Sequence, residues 1–340
     1  MRENLRAWLS SILAEEGEIR AFEPLSGGAC QENYKVEFEP KARPAEKRKL
    51  VLRTDADTKL PGSLDRVAEA EVIAAAREAE VKTPAVLGVG QGIVRPGAVS
   101  CALEWAEGTA LGRQIVSGPE LSSARGSLGS ELAVELAKIH SVAREARPNL
   151  IPARVGWSER GESLDPVANT LGALRQTLDR MPEPHPALEW AFSWLLNHPP
   201  PPRELVLVHG DFRTGNFMLT RDGLSSILDW EFAHWGHPEE DLAWICVRDW
   251  RFGVLDKPVG GFCDKKSFYT AYESASGRSI DPKVVHFWEV WGNVHWAAGC
   301  VFQGERYRTG ESTDLELIAV ARRAAEMEYE ALRLIEKGPH

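Results

Sequence analysis

Between residues 205 and 231, three oxygen-bearing side chains fall at breaks between short apolar runs: Asp211, Asn216 and Asp229. Leu205–Val208 and Phe217–Leu219 bracket a polar loop that carries the first two. A third run, Ser226-Ile227-Leu228, ends on Asp229, and Asp222-Gly223 before it is a hairpin signal. Two carboxylates and an amide gathered at strand ends supply hard oxygen ligands, a set that suits Mg2+.

The spacing narrows the chemistry. His209-x-Asp211-x-x-x-x-Asn216 has the Asp-to-Asn separation of the catalytic loop of protein kinases, and Asp229 stands where a second metal-holding Asp is expected. Asp and Gly are common in turns, so either half alone reads as a turn. Both halves, in order and separated by a hairpin, point to phosphoryl transfer.

The segment resembles the H-G-D-x-x-x-x-N … I-x-D-W-E signature of the aminoglycoside phosphotransferase and choline kinase-like family. Gly236-His-Pro-Glu-Glu-Asp-Leu-Ala-Trp244 resembles that family's G-x-P-x-x-D-L-A segment. The resemblance spans nearly the whole chain and is most specific over 205–244. It implies a protein-kinase-like α+β fold of two lobes, a small β-rich one over 1–106 and a larger, mainly helical one over 107–340. It implies ATP and Mg2+ as cofactors and a small molecule as acceptor. In that reading Asp211 orients the acceptor hydroxyl and takes its proton. Asn216 and Asp229 hold Mg2+, and Arg213 stabilises charge on the transferring phosphate. His209 braces the loop, Asp241 caps a helix or braces the loop, and Glu231 assists metal or substrate.

The elements that must position these groups follow in chain order. Residues 2–16 read as a helix with Leu5, Trp8, Leu9, Ile12 and Leu13 on one face. Ile19–Leu25 and Tyr34–Phe38 read as strands around Gly27-Gly28-Ala29-Cys30, a Gly-rich turn able to offer backbone N–H groups to phosphates. Cys30 stands where the resembled family usually has Ser. Leu50-Val51-Leu52-Arg53 is a third strand, with Arg53 where a protein kinase carries its phosphate-holding Lys. Asp65–Glu80 is a helix, and Glu69 falls where the family places the carboxylate that pairs with the strand cation. Pro84–Val89 and Ala98–Leu103 complete a five-stranded antiparallel sheet. Glu104-Trp105-Ala106 resembles the interlobe linker whose backbone would bond adenine. Helices are expected from 131 to 140, 163 to 181 and 186 to 197, then near 239–250, 264–276, 282–303 and 312–336.

Composition sets outer limits. A net charge of -10 argues against nucleic acid as the main partner. The longest apolar stretch, Val284–Val301, contains Glu289, Asn293 and His295, so a buried helix fits it better than a membrane span. Five widely spaced cysteines and a charged, amphipathic N-terminus fit reduced thiols in a cytoplasmic protein. Two other readings stay open. One is a catalytically silent ATP-binding module, suggested by Cys30 and Arg53. The other is a metal hydrolase built on His209, Asp211 and Asp229, with His234 or His237 as further ligands.

Overall fold

Leu50 and Leu52 alternate with Val51 and Arg53 along one short strand, and that alternation divides the N-terminal sheet into two working faces. The computed structural model describes residues 1–25, 31–55, 62–151, 154–157 and 163–339. The Gly-rich turn at Gly27, Gly28, Ala29 and Cys30 lies outside them.

Helix α1 (Arg2–Ile12) precedes strands β1 (Gly17–Pro24), β2 (Gln31–Pro40) and β3 (Arg48–Asp55). Helix α2 (Arg66–Glu78) comes next, then β4 (Val86–Gln91) and β5 (Val99–Glu104). The five strands form one sheet in the order β1-β2-β3-β5-β4, every neighbouring pair antiparallel. Leu50 and Leu52 join Val36, Phe38 and Ala102 under α1, where Leu5 and Leu9 are buried. Val51 and Leu103 on the opposite face pack with Val72 and Ala76 of α2. Arg53 shares that second face. Asp65 caps α2 by accepting from the Ala68 amide at 2.9 Å.

The helical lobe contains α3 (Gly112–Ser117), α4 (Ser122–Ile139), α5 (Pro166–Asp179) and α6 (Pro186–Asn197). Strands β6 (Val206–Val208), β7 (Phe217–Thr220), β8 (Gly223–Ile227) and β9 (His234–Gly236) follow. The chain ends with α7 (Pro238–Trp244), α8 (Lys265–Ser276), α9 (Pro282–Arg308), α10 (Glu316–Ala321) and α11 (Ala324–Lys337). One buried cluster runs from α2 through Leu128, Leu132 and Leu136 of α4 to Phe217 and Leu219 of β7, so the sheet lobe and the loop region share a core. A second gathers α5, α6, α9 and α11 around Trp288 and Trp291. At 27 residues, α9 is ~40 Å long. No helix among the described residues is long and apolar enough to cross a membrane.

Several boundaries differ from the sequence expectation. The helix expected over 131–140 begins at Ser122, because Leu128 and Ala124 extend its buried face one turn and more toward the N-terminus. The helix expected over 312–336 is two, α10 and α11, offset at Arg322-Arg323. The helix expected over 239–250 stops at Trp244, and a short 3-10 turn covers Arg248–Arg251. Strand β9, absent from the sequence expectation, pairs with β6 at Val206↔Gly236, and the β7–β8 hairpin is a separate two-stranded sheet. The hairpin turn sits one residue earlier than Asp222-Gly223: Thr220 pairs with Gly223, whose φ of 125° suits glycine.

Candidate active site

The loop after β6 reverses direction at Gly210, where φ is 79° and a Cβ would stand 2.3 Å from the Phe232 carbonyl oxygen. Only glycine fits between His209 and Asp211. The turn is fixed from below by Asp241 of α7, which is fully buried. The amides of His209 and Gly210 donate to its two carboxylate oxygens at 2.7 and 3.0 Å. His140 Nε2 lies 3.2 Å from the same carboxylate, and Tyr272 holds the other His140 nitrogen at 2.8 Å. Burial alone would raise the Asp241 carboxyl, but the contacts with His140 and His209 together outweigh it and hold it below the ordinary value. Of the two roles expected for Asp241, loop bracing is the one observed.

His209 also braces. Its Nε2 reaches the Leu228 carbonyl at 3.0 Å, and its Nδ1 accepts from the Asp211 amide at 3.2 Å. A ring that donates on one side and accepts on the other is neutral. Burial pushes its pKa down in agreement.

Asp211 is 7% exposed. It accepts from Asn216 Nδ2 at 2.6 Å, from Trp244 Nε1 at 2.8 Å and from Arg213 Nε at 3.0 Å. Burial raises its pKa above the ordinary carboxylate value, and Arg213 only partly offsets this. Arg213 is therefore joined to Asp211, and its guanidinium also lies 4.5 Å from the Trp250 ring centroid. Asn216 is tied a second time to the Asp211 carbonyl, at 2.9 Å. Its own carbonyl accepts from the Leu228 amide at 2.8 Å, bringing the next strand's end against the loop.

Asp229 follows that strand with φ 69° and ψ 63°, the left-handed region that Asp tolerates better than most residues. Its Oδ1 accepts from Arg53 Nη2 at 2.7 Å, while Arg53 Nη1 lies 2.9 Å from Glu69 Oε1. Burial alone would raise the Asp229 carboxyl, but the Arg53 charge holds it below its ordinary value. Glu69 is thus the helix carboxylate that meets the strand cation. Glu71 is exposed and Glu78 pairs with Arg147. Sequence reasoning missed Arg66, which pairs with the other Glu69 oxygen and stands 3.5 Å from Asp55 and 3.7 Å from Glu231. The signal was its place one residue after the Asp65 cap. Glu231 is 7% exposed, and burial beside Asp229 pushes it up to about 7.

Glu104 ends β5 with its carboxylate accepting from the Ala85 amide at 3.2 Å. Trp105 and Ala106 are half-buried, and Lys49 stands 5.8 Å from the Trp105 ring. The chain beyond is pinned to the hairpin: Ser225 Oγ donates to the Glu107 carbonyl at 2.6 Å, and Thr109 and Leu219 exchange amide bonds at 3.0 Å.

Among the described residues no three His, Cys, Asp or Glu side chains gather in a metal-ligating group. A hydrolase metal held by protein ligands alone would need such a group. His234 instead pairs with Glu240 at 2.9 Å. A Mg2+ that keeps waters and binds substrate phosphates needs only one or two protein oxygens, which Asp229 and the Asn216 amide can supply.

The family model described as the phosphotransferase enzyme family matches residues 21–277. Among solved structures, the chain is similar to a candidate aminoglycoside phosphotransferase from Ralstonia eutropha, with a TM-score of 0.76, 21% identity and 99% of both chains covered. It is also similar to a thermostable mutant of the aminoglycoside phosphotransferase APH(4)-Ia in ternary complex with ADP and hygromycin B. There the TM-score is 0.60, identity is 15%, and 97% of this chain and 98% of that one are covered. At such identities the likeness is one of fold. Chicken acyl-CoA dehydrogenase family member 11 is 42% identical over 62 residues, 17% of this chain and only 8% of that protein's length.

Proposed function

The chain belongs to the phosphotransferase enzyme family, and from that premise we propose that it moves the γ-phosphoryl group of ATP to a hydroxyl of a small molecule. The observation that carries the reading is the join between Asp211, Asn216 and Asp229 on one side and Arg53 and Glu69 on the other. Asp211 orients the acceptor hydroxyl and takes its proton as the oxygen bonds to phosphorus and ADP leaves. Its raised pKa, from burial, makes it a better proton acceptor than an exposed Asp. Asn216, whose Nδ2 is committed to Asp211, turns its amide oxygen and the Asp229 carboxylate to the metal. Mg2+ bound there neutralises phosphate charge. Arg213, resting on Asp211 and Trp250, supplies a second positive group beside the reacting centre.

Arg53 in place of Lys keeps a fixed positive charge on β3 for the α- and β-phosphates. The backbone of Glu104, Trp105 and Ala106 receives adenine. The nucleotide then lies between a lobe of residues 1–106 and one of residues 107–340. Similarity to a protein in complex with ADP and hygromycin B supports a nucleotide and a small hydroxylated acceptor. A cytoplasmic site of action fits the four free cysteines among the described residues.

The test is ADP release and 31P NMR of the products with Mg·ATP and a panel of amino alcohols, sugars and aminoglycosides. Phosphate monoester formation that is lost in Asp211→Asn is the expected result. Tight nucleotide binding with no turnover of any acceptor would make the chain a silent ATP-binding module.

A further inference from the structure

Glu69 is buried with a cation on each oxygen, and the two cations are not held alike. Arg66 Nη1 donates a hydrogen bond to Oε2. Arg53 Nη1 stands 2.9 Å from Oε1, but among the described residues no donor meets that oxygen with hydrogen-bond geometry. Arg53 directs a hydrogen bond elsewhere, from Nη2 to Asp229 Oδ1 at 2.7 Å. The helix carboxylate is thus bonded by Arg66, and the strand cation by Asp229.

The surroundings of Arg66 fix it in this place. It is 4% exposed and lies 3.5 Å from Asp55 at the end of β3 and 3.7 Å from Glu231. Two residues before it, the Leu64 amide donates to the Glu231 carbonyl at 2.7 Å. That bond ties the start of α2 to the segment that carries Asp229. Carboxylates from α2, from β3 and from the turn after Asp229 therefore share one guanidinium.

The consequence lies in the geometry of the arginine fork. A guanidinium and a carboxylate favour two parallel hydrogen bonds. Arg53 reaches Glu69 through Nη1, so the second parallel bond would run from Nη2 to Oε2. Arg66 holds Oε2, and Nη2 stays turned toward Asp229. A lysine on β3 has no fork to close, and would need no such competitor.

Resting on the phosphotransferase reading above, we propose that Arg66 is a positioning residue matched to Arg53. By holding Oε2 of Glu69 it keeps Arg53 from closing on that carboxylate, and so leaves Arg53 Nη2 for the nucleotide phosphates.

Calorimetric titration of the full chain with Mg·AMP-PNP tests this in two backgrounds. Arg66→Met is expected to weaken binding about tenfold in the chain that has Arg53, the loss of one charged hydrogen bond. In Arg53→Lys the same substitution should weaken it less than about threefold, because the two sites are coupled only through the fork. Arg66→Lys, which can still hold Oε2, should restore most of the affinity. Equal losses in both backgrounds, as a merely structural role would give, overturn the proposal. If Arg66→Met does not fold, Arg66→Gln, a neutral and weaker holder of Oε2, is read in the same two backgrounds. In turnover, Arg66→Met should raise the KM for ATP with kcat changed much less, and a fall in kcat at unchanged KM overturns the proposal as well.

A nucleotide-free crystal structure of Arg66→Met gives a second readout. Arg53 Nη2 on Glu69 Oε2 upholds the proposal, and Nη2 still on Asp229 ends it. Failure of the phosphotransferase reading shows differently, as no phosphate monoester from any acceptor with the parent chain. In that event the same crystal structure decides the role of Arg66.

Discussion

Arg53 Nη2 donates to Asp229 Oδ1 at 2.7 Å, joining residues 176 positions apart. The same guanidinium holds Glu69, which is 2% exposed. Cutting this bridge leaves a buried carboxylate short of its partner, a loss of about 3–5 kcal/mol in comparable pairs. Arg66 still holds the second Glu69 oxygen, so Arg53→Met is expected at the low end of that range. Arg53→Lys keeps the charge but loses the fork that reaches both carboxylates, and its stability should fall between the two. Urea unfolding of the three proteins checks this. A stability of Arg53→Met equal to the parent would mean that the bridge carries nothing.

The indole of Trp244 gives Asp211 one of the hydrogen bonds that favour its charged form. Trp244→Phe keeps a ring and removes only the donor. Burial then acts on Asp211 with less opposition, and its pKa rises further. The acid limb of the kcat profile should move to higher pH by up to about one unit. Overlapping profiles for the two proteins would show that the contact does not tune the base.

Asp241 satisfies the His209 and Gly210 amides and His140 together from a fully buried position. In Asp241→Asn one oxygen becomes an NH2 group that faces an N–H, so at least one buried donor loses its acceptor. A loss of about 2–4 kcal/mol is expected. Turnover should fall with it, because the Gly210 turn that aims Asp211 is no longer held. Thermal unfolding and kcat measured on the same preparation test both parts. A variant as stable as the parent would return Asp241 to an ordinary helix-start residue.

The five antiparallel strands and the loop bearing Asp211 and Asn216 were legible because each rests on short-range pattern, whereas the pairing of Glu69 with Arg53 followed from the family resemblance. Alternation in Leu50–Arg53 sets faces, and fixed spacing sets the loop. The ring contacts around Trp244 were not legible. Trp157, Trp244, Trp250 and Trp296 lie on four separate segments, and no periodicity links them. Strand β9 was missed for a similar reason. Its three residues pair with β6 only after the hairpin has brought them back, and a three-residue run of His-Trp-Gly has no strand signature. The break between α10 and α11 sits in an Ala- and Arg-rich run with good helix propensity, so only packing against α9 reveals it.

His234 offers a test of pH dependence. Its Nδ1 faces the Phe232 carbonyl at 2.8 Å and its Nε2 faces Glu240 at 2.9 Å. Both partners accept, so both ring nitrogens carry protons and the ring is a cation. Burial alone would lower its pKa, but the Glu240 charge and hydrogen bond outweigh burial and raise it above the ordinary 6.5. A histidine whose folded value exceeds its unfolded one binds its proton more tightly in the native state. Its contribution is therefore complete below pH 6.5 and fades as the pH climbs through the raised folded value. Unfolding free energies of the parent and His234→Asn, measured from pH 6 to pH 10, should differ by about 2–4 kcal/mol at the acid end. The gap should narrow steadily toward the alkaline end. A difference that stays constant across this range would mean that His234 is neutral in the folded chain and that Glu240 is balanced by the Trp157 indole alone.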